Sequence, residues 1–175
     1  MKREVSSPEE MKRVAAEIFT KEVGLPSVEE VRLPFGSLTS RNQGALIFAL
    51  SGELGAGKTT FAQGVAEALG VIGPVVSPTF TIMRIYKTKE VELPSGSSTS
   101  GIGRLPFTHL VHIDAYRLET ADELARLGWD ELARDAGNCI VLEWPEHVAS
   151  LLLEHAVRIT LTLLTDTVHE ISYQD

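Results

Sequence analysis

A three-layer α/β domain around a partly parallel central sheet is the fold class this sequence predicts, on three observations. Apolar runs of strand length alternate with segments of helical periodicity through most of the 175 residues. One run, Ala45 to Ser51 (ALIFALS), is almost unbroken, as a strand covered on both faces requires. It leads straight into a glycine-rich loop, and the loop into a helical pattern. Nothing repeats internally, and the expectation is one domain over 1–175 with a flexible insertion at about 90–106.

Element by element, Ser7-Pro8-Glu9-Glu10 is a capping box with proline in the first turn, so a helix should run from there to about Glu22. Residues 24–44 read as a long connection with a short strand at Val31-Arg32-Leu33. After the glycine loop, Phe61, Val65, Ala68 and Leu69 fall at helical spacing, and Gly70 stops the helix. Gly73-Pro74 marks a turn, and Phe80 to Lys87 (FTIMRIYK) alternates as a strand. Residues 90–107, rich in Ser, Gly and Pro, suit a solvated hairpin connection better than a flap over a site. Thr108 to Ile113 reads as a strand ending at Asp114. A second capping box, Thr120-Ala121-Asp122-Glu123, opens a short helix to Leu127, and Trp129 to Asp135 gives another. Cys139 to Leu142 is a buried strand ending at Glu143. A helix near Pro145 to Leu153 and strands over Ala156–Leu163 and Thr167–Tyr173 complete the pattern.

The glycine loop carries the chemistry. Gly52, Glu53, Leu54, Gly55, Ala56, Gly57, Lys58, Thr59 and Thr60 fit G-x-x-x-x-G-K-[ST], which makes the domain P-loop NTPase-like. Glycines let successive backbone N–H groups turn inward on phosphate oxygens, where a side chain would block the approach. Lys58 would bring a positive charge to the β- and γ-phosphates, and the Thr59 hydroxyl would hold magnesium. The helix beginning there offers its N-terminus to the same anion.

A phosphate loop needs acidic groups nearby. Asp114 and Glu143 each end an apolar strand, where ligands of open α/β sheets gather, though a strand-end carboxylate can simply meet solvent. Thr79, in the Ser77-Pro78-Thr79 turn, is a candidate γ-phosphate sensor or a turn cap. Lys58, Thr79, Asp114 and Glu143 are thus the candidate catalytic residues. Arg117 is a candidate γ-phosphate finger or a salt-bridge partner, and Trp144 a stacking or a packing residue. The histidines at 109, 112, 147, 155 and 169 lack metal-binding spacing. His109 and His112, three apart on a strand, fall on opposite faces and read as structural.

Composition excludes other classes. No segment approaches the roughly 18 apolar residues that span a bilayer. The segment MKREVSSPEEMKR lacks the apolar core of a secretory signal. The single cysteine, Cys139, precludes an internal disulfide and suits a reducing cytoplasm. With a net charge of −8 and no basic stripe, direct capture of nucleic acid is not expected.

GELGAGKTTF, SPTFTI, HIDAYRL, LGWDEL and LEWPE occur here in the order and approximate spacing of the TsaE (formerly YjeE) family, which this chain resembles over roughly residues 45–147. The resemblance implies a small bacterial P-loop ATPase, with ATP and Mg2+ as cofactors, for threonylcarbamoyladenosine synthesis on tRNA. It also implies TsaD-like and TsaB-like partner proteins, which act on tRNA directly while this chain meets tRNA only through them. Carried over, Leu54 to Thr59 contact the phosphates, Thr59 and Glu143 ligate magnesium with Asp114 at or near the metal shell, and Thr79 lies in a switch-like loop. The N-terminal region approaching the nucleotide maps to Ser7–Met11, with Met11 where the family often has threonine.

Three other readings compete. A small-molecule kinase needs an arginine-rich lid, and residues 90–106 hold one arginine, Arg104. A GTPase needs an [NT]-K-x-D motif, which is absent. A scaffold that holds ATP without turning it over is separated from an ATPase only by measuring phosphate release.

Overall fold

The structure is a computed structural model, described here over residues 1–24, 44–89 and 107–173. Seven strands form one sheet: β1 (Lys2–Val5), β2 (Leu46–Ser51), β3 (Met83–Lys87), β4 (His109–Asp114), β5 (Asn138–Glu143), β6 (Val157–Leu163) and β7 (His169–Tyr173). Their order across the sheet is β1-β7-β6-β2-β5-β4-β3. The inner four, β6, β2, β5 and β4, run parallel. Antiparallel pairs finish both sides, β3 against β4 and the β6–β7–β1 group opposite. The expected partly parallel sheet is present.

Strand alternation sorts the core into two layers. Leu46, Phe48 and Leu50 of β2, with Cys139 and Val141 of β5 and Leu110 of β4, face helices α1 (Pro8–Val23) and α2 (Lys58–Ala68). Ala45, Ile47, Val111, Ile113, Ile140 and Leu142 face the other way. There they meet α3 (Ala121–Arg126), α4 (Trp129–Arg134) and a 3-10 helix over Pro145–Leu151. Helices cover both faces of the sheet, which makes three layers.

α1 begins as its sequence directs. The Ser7 hydroxyl accepts the Glu10 N–H at 3.1 Å, while the Glu10 carboxylate reaches one residue further back, to the Ser6 N–H at 2.9 Å. Its buried residues Met11, Val14, Ala15, Ile18, Phe19 and Val23 make one stripe. That stripe meets α2 closely: a Cβ on Gly64 would lie 2.5 Å from the Lys12 carbonyl oxygen and 2.8 Å from the Ala15 Cβ.

The structure corrects four expectations. β1 was not foreseen, because three of its four side chains are exposed and charged and only Val5 is buried. β3 starts at Met83 instead of Phe80: the Pro78 carbonyl accepts the N–H groups of Thr81 (2.8 Å) and Ile82 (2.6 Å), and Ile82 takes φ 65°. The Thr120 side chain caps nothing, and the Glu123 carboxylate accepts the Glu119 N–H at 3.4 Å, so the second capping box is only half formed. The final strand begins at His169, because Thr167 and Val168 belong to the turn in which Val168 accepts the Leu164 N–H at 2.8 Å. The strand at Val31–Leu33 and the connection at 90–106 lie outside the described residues. Among the described residues, no helix is long and apolar enough to cross a membrane.

Candidate nucleotide site

β2 is paired on both sides, and the glycine loop leaves its carboxyl end at Gly52. Gly52 has φ 145°, and a Cβ there would stand 2.2 Å from the Leu161 carbonyl oxygen, so the loop lies against β6. Ala56 is buried and donates its N–H to the Glu53 carbonyl at 3.2 Å, closing the loop. Gly57, at φ 97°, is the N-cap of α2, and no side chain caps that helix start. A Cβ at Gly57 would come 2.8 Å from Met11 Cε, which places α1 directly beside the loop. Unclaimed N–H groups at a helix start favour an anion.

Lys58 folds back on the loop. Its Nζ donates to the Gly52 carbonyl at 2.6 Å and the Glu53 carbonyl at 2.9 Å, and sits 3.9 Å from the centre of the Trp144 ring. Trp144 follows β5 with φ 60°, a conformation unusual for a bulky residue. Its N–H on the Leu50 carbonyl (3.1 Å) and its ring 5.0 Å from Tyr116 hold it there. Lys58 as a residue is 5% exposed, and burial pushes its pKa below the ordinary value, against the pull of Glu143, Glu146, Asp114 and Glu53. Four carboxylates act on this one ammonium, so acidic groups outnumber basic ones beside the loop.

The carboxylates come from neighbouring strands in register. Asp114 pairs with Glu143 across β4 and β5, and both are 3% exposed. Glu143 Oε1 accepts the Thr59 hydroxyl at 3.0 Å and lies 2.8 Å from His112 Nε2. Asp114 Oδ2 accepts the Thr79 hydroxyl and Oδ1 the Tyr116 N–H at 3.0 Å. The Thr79 hydroxyl also lies 2.6 Å from Ser77 Oγ. Asp114 therefore ties the Ser77–Thr79 turn to the end of β4, and the Ile82 carbonyl reinforces the tie by accepting the Asp114 N–H at 2.8 Å.

Two cavities flank the loop. One of about 320 Å³ is lined by Leu54, Gly55, Lys58, Thr59, Thr79, Asp114, Tyr116, Glu143 and Trp144. The other, about 330 Å³, lies between Gly55, Gly57 and Thr60 on one side and Ser7, Pro8, Met11, Asp166, Thr167 and His169 on the other. Lys58, Thr59, Thr79, Asp114, Glu143 and Trp144, all picked out from the sequence, thus converge on one loop and its surroundings. Leu54 is 82% exposed at the loop tip, and Glu53 contributes its carbonyl. Arg117 instead lies against Phe80, its guanidinium carbon 5.9 Å from the ring centre. His112, read from its spacing as structural, is hydrogen-bonded to Glu143 at the edge of this candidate site. The parity it shares with Asp114 on β4 was the available signal.

The residues suit magnesium in one respect and limit it in another. Among the described residues, no three His, Cys, Asp or Glu side chains converge as a metal cluster. Magnesium typically needs only one or two protein ligands when phosphates supply others. Thr59 Oγ1 and Glu143, hydrogen-bonded side by side at the uncapped start of α2, offer oxygens of that kind.

Sheet order, glycine loop and carboxylate-tipped strands together define a P-loop NTPase-like α/β domain. A family model described as "Threonylcarbamoyl adenosine biosynthesis protein TsaE" matches residues 5–171, and the chain belongs to the TsaE family. It is similar to the tRNA threonylcarbamoyladenosine biosynthesis protein TsaE of Treponema pallidum, 36% identical over 126 residues (72% of this chain, 79% of the relative). Its counterpart in Streptomyces coelicolor is 41% identical over 126 residues (71% and 74%). The crystal structure of Bacillus subtilis YdiB superposes with a TM-score of 0.62 at 27% identity, covering 99% of this chain and 83% of that one.

Proposed function

We propose that this chain is a magnesium-dependent ATPase, acting as one domain in the cytoplasm, that serves threonylcarbamoyladenosine modification of tRNA. It does so by docking on TsaD-like and TsaB-like proteins when nucleotide is bound. The observation that carries the nucleotide reading is the convergence of Lys58, Thr59, Glu143, Asp114 and Thr79 on one cavity beside an uncapped helix start. The pathway follows from family membership.

In this reading the loop N–H groups and Lys58 hold the phosphates, and Lys58 exchanges its bonds to the Gly52 and Glu53 carbonyls for phosphate oxygens. Thr59 and Glu143 hold magnesium, which when bound offsets charge on the phosphates. The cavity between Thr60, Ser7, Met11 and His169 takes the ribose and base. Thr79 senses the γ-phosphate: its hydroxyl, now held by Asp114, is freed or kept according to the nucleotide, and the Ser77–Ile82 turn moves with it. The exposed Phe80 on that turn carries the change to the surface.

Sedimentation of the chain with the two partner proteins and tRNA, in ATP, ADP or no nucleotide, tests this. The expected result is ATP-dependent co-sedimentation with the partners, phosphate release stimulated by them, and little binding of tRNA by the isolated chain, given its charge of −8. Tight direct tRNA binding, or partner binding indifferent to nucleotide, contradicts the proposal. Binding without phosphate release reduces it to a scaffold.

A further inference from the structure

His112 lies outside every motif role described above. β4 alternates, so His112 shares the face of Leu110 and Asp114, beneath α2, and its side chain is fully buried. Nε2 stands 2.8 Å from Glu143 Oε1, and Nδ1 is buried without a hydrogen-bond partner among the described residues. An ionised carboxylate only accepts, so His112 donates to it from Nε2. A proton on Nδ1 would be a buried donor with no partner among the described residues, so the geometry places the donating N–H on Nε2. Oε1 therefore accepts two hydrogen bonds, from the Thr59 hydroxyl and the His112 imidazole, which fixes the carboxylate in position and rotation. Among the described residues, Oε2 takes no hydrogen bond.

We infer that His112 is the positioning residue for Glu143, locking Oε1 between Thr59 and the imidazole so that Oε2 is presented to a cation in the loop. This rests on the reading of Glu143 as a magnesium ligand. Partners of this kind, one bond removed from a metal, set ligand orientation, and losing one typically costs about 10- to 100-fold in metal affinity.

Two substitutions separate the two nitrogens. The amide of His112→Gln reaches the place of Nε2 and can still donate to Glu143, whereas that of His112→Asn reaches only the place of Nδ1, which has no partner. Magnesium titrations of nucleotide binding are run on both variants and on Glu143→Gln, with thermal melts and magnesium-free nucleotide binding as readouts of the fold and the phosphate loop. The expected result is magnesium affinity weakened about 10-fold or more in His112→Asn and largely kept in His112→Gln. Magnesium-free binding should be equal in both. In the metal-free wild-type protein, ¹⁵N NMR of the imidazole should show a protonated Nε2 and a bare Nδ1. The inference is overturned by the opposite tautomer. It is equally overturned if both His112 variants match wild type, or lose magnesium response and magnesium-free binding together, while Glu143→Gln still weakens magnesium. If Glu143→Gln leaves the magnesium response intact, it is the ligand reading of Glu143 that fails, and the inference falls with it.

Discussion

Thr59, in the first turn of α2, donates its hydroxyl to Glu143 at the end of β5 across 3.0 Å, although 84 residues separate the two in sequence. The bond joins the phosphate loop to a carboxylate delivered by a neighbouring parallel strand. If both groups ligate one cation, their contributions to magnesium affinity must be coupled. Thr59→Val removes the hydroxyl at nearly constant volume, and Glu143→Gln removes the charge. A double-mutant cycle on magnesium-dependent nucleotide binding should give a coupling of about 0.5–3 kcal/mol, as for groups in direct contact. Strict additivity would mean that the two groups do not share an ion.

Lys58, proposed to meet the phosphates, is held in this structure by two carbonyls and the Trp144 ring. Lys58→Ala should cost about 2–4 kcal/mol in binding or turnover, the scale of charge-assisted bonds in a water-poor site. Calorimetry with ATP and magnesium measures it. An unchanged affinity and rate would remove Lys58 from the phosphate site.

Gly64 tests the packing that sets the loop against α1. Helix propensity alone favours alanine there by about 1 kcal/mol. The new methyl would however meet Lys12 backbone at 2.5–2.6 Å, and backbone cannot swing aside as a side chain can. The steric effect wins, and Gly64→Ala should destabilise by about 1–3 kcal/mol. Urea unfolding reads the sign directly, and a more stable variant would show that α1 can shift away.

The strand–loop–helix unit was legible because its demands are local: glycine conformations, a lysine and a hydroxyl at fixed spacing, and an apolar strand before them. The ends of β4 and β5 were legible because apolar runs stop at Asp114 and Glu143. What was hidden depends on partners distant in sequence. β1 exists because residues 2–5 find residues 169–172, and its own side chains give one buried valine as a signal. The turn at Phe80–Ile82 looked like strand because its residues favour strands, while the Pro78 carbonyl and the Asp114 N–H determine otherwise. Parity put His109 and His112 on opposite faces, but the partner of His112 is 31 residues away on another strand.

Cys139 gives a pH-dependent test of the buried sheet. It is fully buried in β5, and burial pushes its thiol well above the ordinary value of 9.0. The folded chain keeps the proton, while the unfolded chain releases it once pH passes 9.0. Above that point the unfolded state binds fewer protons, so stability falls as pH rises, by up to about 1.4 kcal/mol per pH unit from this group. Below it the thiol contributes no pH dependence. Cys139→Ala removes this contribution while every other titrating group remains, so its stability should decline less steeply than wild type above about pH 9. Urea unfolding of both proteins from about pH 7 to pH 10.5 measures the difference in slope, and thiol-reagent labelling in the same series should be slow until the chain unfolds. Parallel pH profiles, or rapid labelling of the folded protein, would show that water reaches Cys139 and that the centre of the sheet opens without global unfolding.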